Sequence, residues 1–170
     1  NKTLVSVLNL KTVNAKDLNL KGLWEAGNLT LTAVNSLQQA GAIYAQNNLV
    51  LQANAMSLTG AVQAGHKLNV NAVQQLTVDS QAQLFSSDSI ELSADAIQLD
   101  GYAGAENSMT AIAANNLTAG TTAQLESNGL IALQSKNADI DLQGKTYAQT
   151  QTISAQKNLN IAAGASVTTV

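Results

Sequence analysis

A seven-residue stretch, Asn47-Asn48-Leu49-Val50-Leu51-Gln52-Ala53, constrains the fold of this chain more than any other feature, because it recurs. Two turn-forming residues precede apolar positions that alternate with polar ones and end on a small residue. The same shape stands at Gly27-Asn28-Leu29-Thr30-Leu31-Thr32-Ala33, His66-Lys67-Leu68-Asn69-Val70-Asn71-Ala72, Asp88-Ser89-Ile90-Glu91-Leu92-Ser93-Ala94 and Lys157-Asn158-Leu159-Asn160-Ile161-Ala162-Ala163. A fixed internal period of this kind marks a repeat architecture and has to be read before anything else.

Taking the first apolar residue of each copy gives Leu8, Leu29, Leu49, Leu68, Ile90, Met109, Leu130 and Leu159, at spacings of 21, 20, 19, 22, 19, 21 and 29. The long last interval, with Gln134 where alanine is expected, predicts an irregular or inserted coil over residues 133–158. Within each copy the apolar period is two, which belongs to half-buried strands and not to helices. A second apolar set follows at Leu37, Leu58, Leu76, Leu99, Leu117 and Val167, and a third at Ile43, Val62, Ala82, Ala103 and Ala123. Three short strands per copy account for all three sets. Two residues before the anchors stand Gly27, Asn47, His66, Asp88, Asn107 and Asn128, types that tolerate a positive φ, so these positions are read as corners. Glycines at Gly41, Gly60, Gly101, Gly120, Gly144 and Gly164 mark further bends.

Copies of this kind stack about 4.8 Å apart, the spacing of hydrogen-bonded strands. The expected fold is all-β: a parallel β-helix, or solenoid, of about eight coils of roughly 20 residues. The variable coil length favours the right-handed form. Leu29, Leu49, Leu68, Ile90, Met109 and Leu159 would form one internal stack, and Ala33, Ala53, Ala72, Ala94 and Ala113 another where the interior narrows. Asn28, Asn48 and Asn158 would form part of a stacked amide ladder. The core has to be aliphatic, because 45% of the chain is hydrophobic and only 3% aromatic. Residues 1–170 read as one segment of a longer protein, since the chain starts without a signal sequence and stops inside a repeat.

Candidates for chemistry are few. His66 is the lone histidine and occupies a corner, and no Gly-x-Ser-x-Gly is present, so no nucleophilic site is assigned. Asp139 and Asp141 alternate with Ile140 and Leu142 and project outward on one face, where a Ca²⁺ or acid/base role competes with that of a solvated strand face. Asp79, Asp88, Asp95 and Asp100 are dispersed at strand ends. Trp24, Tyr44, Tyr102 and Tyr147 would form a sugar-stacking platform only if their coils brought them into line. Spacings of 20, 58 and 45 give no such alignment, so they are read as isolated surface or edge aromatics. No catalytic, cofactor or metal residue follows, and the expectation is a protein without enzymatic activity. The net charge of −3 and the absence of arginine disfavour a nucleic-acid partner. Without cysteine there is no disulfide or thiolate site. Sequons at Asn1, Asn28 and Asn116 are within what chance gives an Asn- and Thr-rich chain.

The segments Ala40-Gly41-Ala42-Ile43-Tyr44-Ala45 followed by Leu49-Val50-Leu51-Gln52-Ala53, and Gly60 to Ala72, resemble the haemagglutinin repeats of the filamentous haemagglutinin family. The resemblance covers nearly the whole chain and weakens between Leu133 and Ile153. It implies a large bacterial exoprotein with a right-handed β-helical shaft, passed through an outer-membrane two-partner-secretion transporter to the cell surface or medium. Members act as adhesins toward host or target-cell receptors or glycans, or as shafts that deliver contact-dependent growth-inhibition toxins. Flanking repeats of the same chain would be further partners. The family's secretion domain carries Asn-Pro-Asn motifs, and this proline-free chain does not match it. A polysaccharide lyase or hydrolase on a β-helix is the third reading, weakened by the missing arginine.

Overall fold

The computed structural model describes residues 4–6, as backbone, and 12–170. The anchor at Leu8 and the sequon at Asn1 lie outside the described residues. Every strand pairing is parallel and joins a strand to its equivalent in the next coil, and no helix occurs among the described residues. Alternating side chains with no helical period leave the chain only strands to form, and each strand finds its partner one coil away. One sheet holds nine short strands in chain order, Leu4–Ser6, Leu23–Ala26, Ala42–Ala45, Ala61–Ala64, Gln83–Ser86, Tyr102–Ala105, Gln124–Ser127, Lys145–Ala148 and Ser166–Thr169. The other holds twelve. Its early members, such as Leu29–Gln39, Leu49–Leu58 and Lys67–Val78, run over two faces, whereas later coils divide the same path, as in Ser89–Ala94 with Ala96–Leu99. Three faces therefore enclose the interior of a parallel β-solenoid. Register partners such as Ala42↔Ala61, Ala61↔Gln83 and Lys145↔Ser166 fix coils of 19, 22 and 21 residues.

The interior consists of continuous rows. On the first face Leu29, Leu49, Leu68, Ile90 and Met109 lie in register and are fully buried, as the repeats predict. The row continues through Ile131, one residue beyond the expected Leu130, and then Gln151. Ala53, Ala72, Ala94 and Ala113 follow in a second row with Ala33, and Ser135 and Ala155 extend it. Leu159 is not in the anchor row. It pairs with Ile140, which pairs with Leu117, so it belongs to the second face. The 29-residue interval thus counts one coil plus the step to the next face.

No inserted coil occurs over 133–158. Leu133 pairs with Ile153, Ser135 with Ala155 and Leu142 with Ile161, all in unbroken register. Gln151 hides the repeat because a polar residue occupies the anchor position, with its amide engaged internally: Thr146 Oγ1 donates to its Oε1 at 2.6 Å, and its Nε2 donates to the Thr168 carbonyl at 2.6 Å. Two expected apolar sets also resolve differently. Leu37, Leu76 and Leu117 share a row with Met56, whereas Leu58 and Leu99 lie in the next row with Val78. Val167 belongs to the third face, whose inward row runs through Ile43, Val62, Leu84, Ala103 and Leu125; Ala82 and Ala123 precede that row at a turn.

The corners are not built on positive φ. Among the described residues no non-glycine has one, and Gly22 alone among the glycines does, at 81°. Gly27, Asn47, His66, Asp88 and Asn107 do occupy equivalent corner positions, but the sixth member is Gly129, with Asn128 one residue earlier, above Glu106. What these corners require is hydrogen bonding between coils. The N–H of Asn47 donates to the Gly27 carbonyl at 2.8 Å, that of His66 to Asn47 at 2.8 Å and that of Asn107 to Asp88 at 2.8 Å. The side chain of Asn28 likewise accepts the Asn48 N–H, and Asn48 accepts that of Lys67, giving two rungs of the expected amide ladder. Asn158 stands apart from it. At another corner Gly22, Gly41 and Gly60 stack directly, and a Cβ on Gly41 or Gly60 would collide with the carbonyl oxygen of the glycine below. Close backbone approach, more than rotational freedom, selects glycine there.

Candidate functional site

Five of the carboxylates share one arrangement. Asn107 Nδ2 donates to Asp88 at 2.8 Å, Asn115 to Asp95 at 2.7 Å, Asn128 to Glu106 at 2.6 Å, Asn158 to Asp139 at 3.0 Å and Asn160 to Asp141 at 2.7 Å. In each pair the amide lies one coil above the acid. Stacking at one strand spacing would force like carboxylates together, whereas an amide converts that contact into a charge-assisted hydrogen bond. Asp17 follows the same rule with Ser36, whose hydroxyl donates at 2.7 Å and holds the carboxyl below its ordinary range against the opposing effect of desolvation. Asp139 and Asp141 do alternate outward against buried Ile140 and Leu142, yet each is engaged by its own asparagine. Asp79 accepts the Gln81 N–H in a local turn, and Asp100 accepts from the Gln98 amide. Among the described residues no group of three or more His, Cys, Asp or Glu is placed to hold a metal ion. His66 is exposed, and its carbonyl accepts the Ser86 hydroxyl.

The aromatic residues are where structure and expectation part. All five lie on the nine-stranded sheet. Trp24 occupies the inward row beneath Ile43 and packs on the core, so it is not a surface aromatic; its Nε1 finds no acceptor among the described residues. The other four point outward from one face. A single outward row reads Glu25, Tyr44, Gln63, Phe85, Gly104, Glu126, Tyr147 and Thr168 in consecutive register. Tyr102 stands in the neighbouring outward row, two residues before Gly104 on the same strand.

Gly104 sets the local shape. A Cβ there would fall against the Tyr102 ring, 2.8 Å from Cζ and 2.9 Å from Cε1. The ring therefore lies along the sheet over the bare glycine backbone, which it buries, and its hydroxyl donates toward Glu126 at 3.3 Å. Burial, then the Glu126 and Glu106 carboxylates, push the Tyr102 phenol above its ordinary range, so it remains a neutral donor. A depression of about 190 Å³ surrounds this ring, lined by Phe85, Tyr102, Gly104, Glu126, Asn128 and Tyr147 among others. A second, of about 290 Å³, adjoins it across Glu126 and Tyr147, with Gln124, Lys145 and Thr168 on its walls. Together they form a shallow groove with aromatic floor and polar sides.

Sequence reasoning named Tyr44, Tyr102 and Tyr147 but set them apart, and it missed Phe85, Gly104 and Glu126. The signal that finds them is the register on this face, because 85, 104, 126 and 147 are separated by 19, 22 and 21 residues, one coil each. Compared with known proteins, the chain matches no family model, no curated protein and no solved structure.

Proposed function

We propose that this chain is a shaft segment of a large secreted bacterial surface protein of the filamentous haemagglutinin kind, exported by two-partner secretion and supporting adhesion. The observation that carries the reading is the parallel pairing of each strand with its equivalent in the next coil, around a continuous aliphatic core that runs from Leu20 to Ala148. Such a stack transmits load along its axis through hydrogen-bonded strands, and about eight coils at one strand spacing span roughly 40 Å. Its outward rows are mostly Thr, Asn, Gln and Ser, which keep the surface hydrated while carrying little charge. A chain without cysteine suits passage through a pore in an unfolded state, since no premature cross-link forms.

The reading is tested on intact cells of the source bacterium with antibodies raised against the 170-residue chain. Surface labelling is expected, and it should disappear when the two-partner-secretion transporter genes are deleted. Antigen confined to the cell interior, or labelling indifferent to those deletions, would overturn the proposal.

A further inference from the structure

The aromatic side chains of the outward groove lie outside the buried core of the solenoid. Phe85, Tyr102 and Tyr147 sit on the outside of a wall whose interior rows are complete without them. An all-polar surface would serve solubility better, and elsewhere on the wall the large exposed apolar side chains are aliphatic, as at Val34 and Val73. Yet four of the chain's five aromatic residues are gathered outward here. Covering the exposed backbone of a glycine by an aromatic neighbour explains Tyr102 over Gly104. It does not explain Phe85 on one side of that ring and Tyr147 on the other.

We propose that the groove centred on Gly104 binds a neutral, β-linked oligosaccharide, whose ring faces stack on Tyr102, Phe85 and Tyr147 and whose hydroxyls bond to Glu126 and Asn128. The chemistry points to this class of ligand. A β-linked pyranose with equatorial substituents presents a flat, apolar C–H face and a rim of hydroxyls. The site presents the matching parts: a ring laid flat on the sheet, flanking aromatics and hydrogen-bonding groups at the sides. Phe85 and Tyr147 stand three coils apart, about 14 Å along the axis, which is room for a short run of sugars and not for a single one. Charge selects among glycans. Two carboxylates, Glu106 and Glu126, face the groove against one ammonium, Lys145, so uronate- or sulfate-bearing chains are repelled while neutral hydroxyls find acceptors. The site stands on this face alone, whether or not the chain belongs to an exported filament.

The test uses the whole 170-residue chain, with cellohexaose and chitohexaose as neutral probes and a heparin-derived hexasaccharide as the anionic one. Titration followed by nuclear magnetic resonance should give saturable binding of a neutral probe, with shifts concentrated at 102–105, 124–128 and 145–148. Tyr102→Ala and Tyr147→Ala should each weaken it about tenfold or more, as loss of a stacking ring does. Tyr102→Phe keeps the ring and should stay within about threefold, separating stacking from the hydroxyl. Thr30→Ala, on another face, should change nothing, and circular dichroism establishes that each variant keeps its sheet. Failure of both neutral probes to bind, equal binding by the ring-deleted variants, or preference for the heparin fragment would sink the proposal. So would sedimentation showing that Tyr102→Ala dissolves a dimer, since the groove would then serve a second copy of the chain. None of these outcomes bears on cell-surface labelling, so the two proposals fail separately.

Discussion

Gln39 stands in an interior row of the second face, paired with Leu20 on one side and Leu58 on the other, and is almost wholly buried. Its Nε2 donates to the carbonyls of Gly41 at 2.5 Å and Ala61 at 3.2 Å, while its Oε1 accepts the Gly60 N–H at 3.1 Å. A buried amide is tolerated because these partners replace water. Gln39→Ala should therefore cost roughly 1–3 kcal/mol, the penalty for stranding buried backbone groups, as read from urea unfolding. Tyr102 offers a second measurement at this scale. Its phenol is raised chiefly by burial and next by Glu126, so Glu126→Gln should shift its alkaline absorbance titration downward only part of the way. The sign for stability follows: a raised acid keeps its proton when folded, so this contribution holds below the unfolded tyrosine value of about 10 and is lost as pH climbs past it.

At the scale of strands, the fully buried Leu49 and Leu68 each touch the anchor above and below. Leu49→Ala or Leu68→Ala should destabilise by about 2–5 kcal/mol through lost burial and a cavity. Thr30→Ala, half-exposed on the outer wall, should stay within about 0.5 kcal/mol in the same denaturation series. These leucines were legible in the sequence, because strict alternation assigns each residue to the inside or outside of a strand. On the third face Ile43, Val62 and Ala103 were legible too, but Leu84 and Leu125 were missed for Ala82 and Ala123, because extra residues enter those coils just before the face. Asp79 to Ala82 closes a turn with the Ala82 N–H on the Asp79 carbonyl at 2.9 Å, and Gly120 to Ala123 repeats it at 3.0 Å. Each turn lengthens its coil to 22 residues, which breaks any count carried forward from the first-face anchors. The alignment of Phe85, Gly104, Glu126 and Tyr147 stayed hidden for that reason. Gln151 misled in another way, since hydropathy cannot tell an internal, hydrogen-bonded glutamine from an outward one.

For the molecule as a whole, each coil contacts only its neighbours, so stability is close to a sum of coil and interface contributions. In the 170-residue chain the coil closing at Val170 leaves Leu159, Ile161 and Val167 exposed, although their equivalents Ile140, Leu142 and Leu125 are buried. Their strand edge is also open to pairing. End-to-end association is therefore expected. Sedimentation velocity should find larger species as concentration rises, and a strictly monomeric profile at high concentration would contradict it. The pairing of acid with amide between coils carries a consequence for how such a rod can grow in evolution. Copying only the coil that bears Asp88 would lay carboxylate upon carboxylate, whereas copying it together with the coil bearing Asn107 keeps an amide above each acid. At such a column, duplicating a pair of coils avoids the like-charge contact that duplicating one coil would create.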